Sequence, residues 1–146
     1  MLPWPIYYAL LIMCSTYALL KGGSPERVGA LVLAAASVSS FAVVAHPRNL
    51  YTVEPGLFLV DAAMLIAFAV LALRVDRFWP IWISAFAGLG LLGHLGRWSL
   101  GPELDRRAYI ISIVVWSYPM LAAIAIGTFN HHRRIANTSD DPAPSG

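Results

Sequence analysis

Two ionisable side chains stand where an apolar sequence tolerates them poorly. Asp61 lies within LFLVDAAMLIAF and His94 within GLGLLGHLG. A charged or titratable group at membrane depth is costly, seldom faces lipid and is held by a partner. Arg97 follows His94 by about one helical turn, on an adjoining face, and competes for Asp61. His46 closes an earlier apolar run, AAASVSSFAVVAH. Four chemistries suit such a cluster. An Asp61–His94 or Asp61–Arg97 hydrogen bond makes a structural clasp between helices, worth about 0.6 to 2 kcal/mol. Asp and His in sequence also form proton or ion relays. His46, His94 and Asp61 are ligand types that suit zinc or copper, though no tight H-x-x-x-H spacing is present. His46 and His94 could also serve as axial ligands of a haem. The clasp is the plainest of the four. Haem or metal at His46 and His94 is the weakest, so no cofactor is expected.

The stretch around His94 raises another possibility. GLGLLG, from Gly88 to Gly93, satisfies the G-x-G-x-x-G pattern of dinucleotide-binding loops. That loop must follow a strand and open a helix whose N-terminus meets the pyrophosphate. Here the glycines follow FWPIWISAFA, deep in an apolar run, and no βαβ pattern exists around them. A packing role fits better, because small residues let membrane helices approach closely. Ser84 and Gly88 form a small-x-x-x-small pair, and Gly90, Gly93 and Gly96 recur every three residues. They spread over more than half the helix circumference. The expectation is a helix at the centre of a bundle, packed on the similarly small-faced AAASVSS run.

Composition says which elements carry these residues. Of 146 residues 58% are hydrophobic and only 12% charged, with a mean hydropathy of +0.66. A soluble domain carries about 25% charge. Five runs are long enough to cross a bilayer, at about 20 residues per crossing: about 4–20, 28–45, 57–73, 78–97 and 108–129. Backbone groups in lipid must be satisfied internally, and these runs do not alternate in polarity, so helices rather than a barrel are expected. The fold class is thus an all-α integral membrane protein, a bundle of five transmembrane helices. Residues 1–134 form the membrane domain and 135–146, polar and rich in Pro, Ser and Asp, a disordered tail. No internal repeat is visible.

Antiparallel neighbours bring Asp61 and His94 to nearly the same depth. Asp61 sits about four residues into its span, roughly 6 to 7 Å below the boundary. Lys21, Arg27, Arg74, Arg77, Arg133 and Arg134 fall on one side, against Arg48, Arg97, Arg106 and Arg107 on the other. The excess of Lys and Arg marks the cytoplasmic face, which gives N-out/C-in. Trp4, Tyr7, Trp79, Trp82, Trp98 and Tyr109 lie near span ends, where amphipathic rings settle at the interface. His131 and His132 read as ordinary interfacial residues. In VVWSYPM, Pro119 cannot donate to Val115, so a kink is expected there. Trp116, Ser117 and Tyr118 could then line a pocket for a lipid-soluble ligand such as a quinone. The lone Cys14 excludes an intrachain disulfide and reads as a buried small hydrophobe. The first run lacks a basic leader and a small-x-small cleavage site, so it reads as a retained span.

The segments LRVDRFWPIW, GHLGRW and WSYPMLAAIAIGT resemble segments of small uncharacterised inner-membrane proteins of bacteria. The resemblance covers the third to fifth spans. It implies a bacterial inner membrane and transfers no site. No catalytic triad, H-E-x-x-H, phosphate loop or carboxylate pair within a span is present, and no basic tract suited to nucleic acid. The expected function is therefore a non-catalytic structural or accessory subunit, or helper, partnered by lipid and by another membrane protein or a second copy. One alternative is a small proton- or ion-coupled transporter or channel using Asp61 and His94. The other is a haem- or quinone-binding redox protein.

Overall fold

The computed structural model describes residues 4–45, 50–100, 111 and 114–139. These residues hold five helices and no strand: α1 (Trp4–Lys21), α2 (Ser24–Ala45), α3 (Leu50–Arg74), α4 (Trp79–Leu100) and α5 (Ser117–Ser139). Three of them, over Ser24–Ala45, Pro55–Arg74 and Trp79–Ser99, are long and apolar enough to cross a membrane.

Several helix limits differ from the apolar runs. α2 starts at Ser24 rather than 28, so SPE forms its first turn. Proline is tolerated there and an acid is favoured by the helix dipole. α3 starts at Leu50, with Pro55 inside it. Before α5 the chain turns at Val115–Trp116, so the kink expected at Pro119 takes the form of a break. Pro119 then lies in the first turn of α5, where its missing N–H is harmless. α5 continues through Ser139, so the first residues after 134 are helical.

Each helix packs on its neighbours in sequence, and α5 packs back on α1. The five close a ring, with α2 also touching α5 across it. Tyr7 meets Tyr118 near the starts of α1 and α5, while Gly23, just past α1, approaches His131 far along α5. The ring is therefore closed by a parallel pair. α4 is a ring member between α3 and α5 rather than the centre of the bundle. Its expected pairing with α2 is corrected likewise: α3 packs against both, and α2 meets α4 where the Trp79 ring reaches Gly29.

The core is one buried stripe per helix. On α4 it runs Trp79, Ile83, Ala87, Gly90 and His94. Steps of three and four keep these on one face. Leu11 and Ala18 of α1, Leu33 of α2, Phe68 of α3 and Ile124 of α5 belong to the same buried cluster. Cys14 is half-buried and packs against this cluster. Of the α4 glycines only Gly90 is on the stripe. A Cβ at Gly88 or Gly96 would meet nothing within 4 Å, Gly93 is half-buried, and the Ser84 hydroxyl donates back to the Pro80 carbonyl at 2.9 Å. The close approach predicted for them occurs elsewhere. A Cβ on Gly29 would stand 2.5 Å from the Trp79 ring, and one on Gly127 would collide with the other side of that ring.

Candidate functional site

Two polar sites sit at opposite ends of the α4 stripe. Fifteen residues separate Trp79 from His94, about 22 Å of helix.

At the first end α3 and α4 run antiparallel, and His94 Nε2 lies 3.1 Å from Asp61 Oδ2. The imidazole N–H donates to the carboxylate. His94 is 1% exposed and Asp61 25% exposed, so the pair is sealed on one side and open on the other. The Phe58 ring stands edge-on to the imidazole, centroids 6.0 Å apart, and packs on Trp98. Gly90 lies beside the pair, with Asp61 Oδ2 3.9 Å from where its Cβ would be. Of the two rivals expected for Asp61, His94 takes the bond; Arg97 is half-buried one turn further on. His46, the fourth member of the expected cluster, lies outside the described residues, so the haem and metal pairings with it rest on sequence alone. Among the described residues no three His, Cys, Asp or Glu side chains come together as metal ligands.

The aromatic group expected to line a ligand pocket is used for packing. Trp116 stacks on Phe86 with centroids 6.1 Å apart. Tyr118 stands edge-on to Tyr7 at 5.9 Å, and the Tyr7 hydroxyl shares a hydrogen bond of 2.8 Å with Ser37. Ser117 is half-buried beside them.

The second end was not foreseen. Glu26, at the start of α2, is fully buried. Trp79 Nε1–H donates to its Oε1 at 3.1 Å. Trp79 itself is only 5% exposed, so it is an interior ring rather than the interfacial one expected, whereas Trp82 and Trp98 do face outward. Gly29 packs on the six-membered part of its ring and Gly127 on the five-membered part, and together they form the slot that holds it. The Glu26 Oε2 atom is buried and has no hydrogen-bond partner among the described residues. Buried polar groups are nearly always paired, so such an atom calls for a reason. Near it is His131, half-buried rather than a plain surface residue, whose Nδ1 accepts from the Arg77 guanidinium at 3.3 Å. That bond leaves the neutral ring's proton on Nε2. Both His131 Nε2 and Glu26 Oε2 lie 3.0 Å from where a Cβ on Gly23 would stand. Both therefore pack on Gly23, where any side chain would have to displace them. Beside it, a pocket of about 470 Å³ is lined by Lys21, Gly22, Gly23, Arg27, His131 and His132 among others.

One sequence signal could have exposed this end. S-P-E opens a helix, which takes Glu26 out of the loop and onto the face of Ala30 and Leu33. The slot glycines carry no such mark, because nothing local says which ring they accept.

Fold and sites define an all-helical protein with three helices able to cross a membrane and a polar pair at each end of one of them. Compared with known protein families, curated proteins and solved structures, the chain matches none.

Proposed function

We propose that this chain is a multi-pass protein of a bacterial inner membrane, with five spans in the N-out/C-in sense, acting as a structural or accessory subunit or helper without catalysis of its own. The observation that carries this reading is the apolar surface left uncovered. No more than a third of any of the three span windows is buried within the chain. Ile12, Val38, Leu59 and Ile66 are each more than 60% exposed. Helices apolar all round demand lipid or another protein on their outer faces. α1, with 18 residues, is about 27 Å long and nearly spans the hydrocarbon core. The basic residues Lys21, Arg27, Arg74, Arg77, Arg133 and Arg134 gather at the Gly23 end, which supports a cytoplasmic location for it. The polar residues at depth are engaged with each other, as struts between helices would be.

The test is a mild-detergent pull-down of a tagged full chain, with mass spectrometry of what co-purifies in near-equal amount. A stoichiometric membrane partner is expected. Recovery of the chain alone would overturn the subunit reading.

The one-sided exposure of the Asp61–His94 pair supports a second reading, proton- or ion-coupled transport. Asp61→Asn would then abolish flux in proteoliposomes while insertion stays normal. Unchanged flux, or no flux in the parent protein, removes it.

A further inference from the structure

We propose that the Gly22–Gly23 turn, with the start of α2 and the His131 face of α5, is a binding site for a phosphoester whose alcohol carries a hydrogen-bond donor, an ammonium or hydroxyl, as the headgroups of membrane phospholipids do. The site goes beyond the subunit reading and rests on the membrane assignment alone. Three features converge on it.

The first is a set of hydrogen-bond donors, two of them charged. Lys21, Arg27, His131 and His132 line the pocket of about 470 Å³. Arg77 and Arg134 line an adjoining pocket of about 390 Å³ that shares His131. This volume suits a headgroup rather than a single ion. Arg27 Nε–H donates to the Gly22 carbonyl at 3.2 Å, which fixes the guanidinium over the turn. A phosphate accepts hydrogen bonds from several directions and suits such a rim. His131 Nε2–H, set by the Arg77 bond, adds a donor at the pocket floor.

The second is the unpartnered Glu26 Oε2, buried directly behind Gly23, which lines the pocket. An anion alone would leave this acceptor unsatisfied and be repelled by it. A ligand with a donor a few bonds from its phosphate satisfies both demands. The phosphate sits on the basic rim and the ammonium or hydroxyl donates to Oε2. Choline headgroups, whose nitrogen carries no N–H, cannot do this.

The third is apolar. Leu20 and Ile135 line the same pocket and are 71% and 53% exposed. They continue onto the uncovered apolar side of α1, where an acyl chain attached to the headgroup would lie. This favours a lipid over a free phosphoester as the source.

The experiment is thermal unfolding of the purified full chain in neutral detergent, titrated with short-chain lipids that share their acyl chains and differ in headgroup. Ethanolamine and glycerol headgroups are expected to raise the Tm saturably, and choline to leave it unchanged. Arg27→Ala should weaken the apparent affinity by about tenfold, the size of one charge-assisted hydrogen bond. Gly23→Ala displaces only the ends of the His131 and Glu26 side chains. It should keep the unliganded Tm and abolish the distinction between choline and the other two headgroups. Free glycerol phosphate serves as the tail-less arm: a matching shift would keep the chemistry and assign a soluble source. Equal shifts from all three lipids, or none from any phosphoester, would overturn the proposal. Carbonate extraction from vesicles, run in parallel, reports on the membrane assignment separately.

Discussion

The two ends of α4 hold their helices together in different ways. At the His94 end, one bond joins α3 to α4, consecutive helices that the chain already links as a hairpin. At the Trp79 end, a single ring enters a slot between Gly29 of α2 and Gly127 of α5 and bonds Glu26 of α2. The first is a clasp on a unit that local sequence already brings together. The second ties α4 to its successor α5 and to α2, which is not its neighbour in sequence. Membrane helices associate chiefly by close packing rather than by the hydrophobic effect, so the slot should carry more of the stability than the clasp.

Substitution of the slot walls gives the largest expected effect. Gly127→Leu or Gly29→Leu evicts Trp79 and should cost about 3 kcal/mol, read as a lower unfolding midpoint in detergent. If either costs less than His94→Ala, the ranking of the two ends is wrong. Next comes Trp79→Phe, which keeps most of the ring and strands the buried Glu26 carboxylate. A loss of about 2 kcal/mol is expected. Glu26→Met in the same chain should recover part of it, since removing both partners is milder than removing one. An unchanged double variant would mean that the cost lies in the ring alone. Smaller still is the clasp: a double-mutant cycle over Asp61→Asn and His94→Ala should give a coupling of about 1 kcal/mol. A coupling of zero would separate the pair energetically despite its contact. Last, Gly88→Ala and Gly96→Ala point into open space and should change stability by less than about 0.5 kcal/mol. A larger loss in vesicles, absent in detergent, would show that a neighbouring chain covers that face.

The contrast between the ends also explains what could be read beforehand. That the chain is helical follows from its apolar runs, because a run of that length has no other way to satisfy its backbone. Asp61 and His94 stand out because each interrupts such a run, and antiparallel succession puts them at one depth. Glu26 lies four residues from Ala30, yet its neighbours Gly22, Gly23 and Pro25 resemble a connection. Its burial depends on Trp79, 53 positions away. The glycines are the sharper case. Gly88, Gly90, Gly93 and Gly96 attract notice by their spacing, whereas Gly29 and Gly127 stand alone in their helices and make the contacts. Spacing reports which residues share a face. Which face meets a large ring depends on how the whole ring of helices closes.

That closure has an order in time. A chain synthesised from its N-terminus presents α1 to α4 before α5 is made. Through that interval Trp79 has one wall of its slot and Glu26 its bond, but the side formed by Gly127 is missing, and α1 has not met its parallel neighbour. The nascent four-helix intermediate therefore leaves one part of the indole uncovered and the seam along α1 open until α5 arrives.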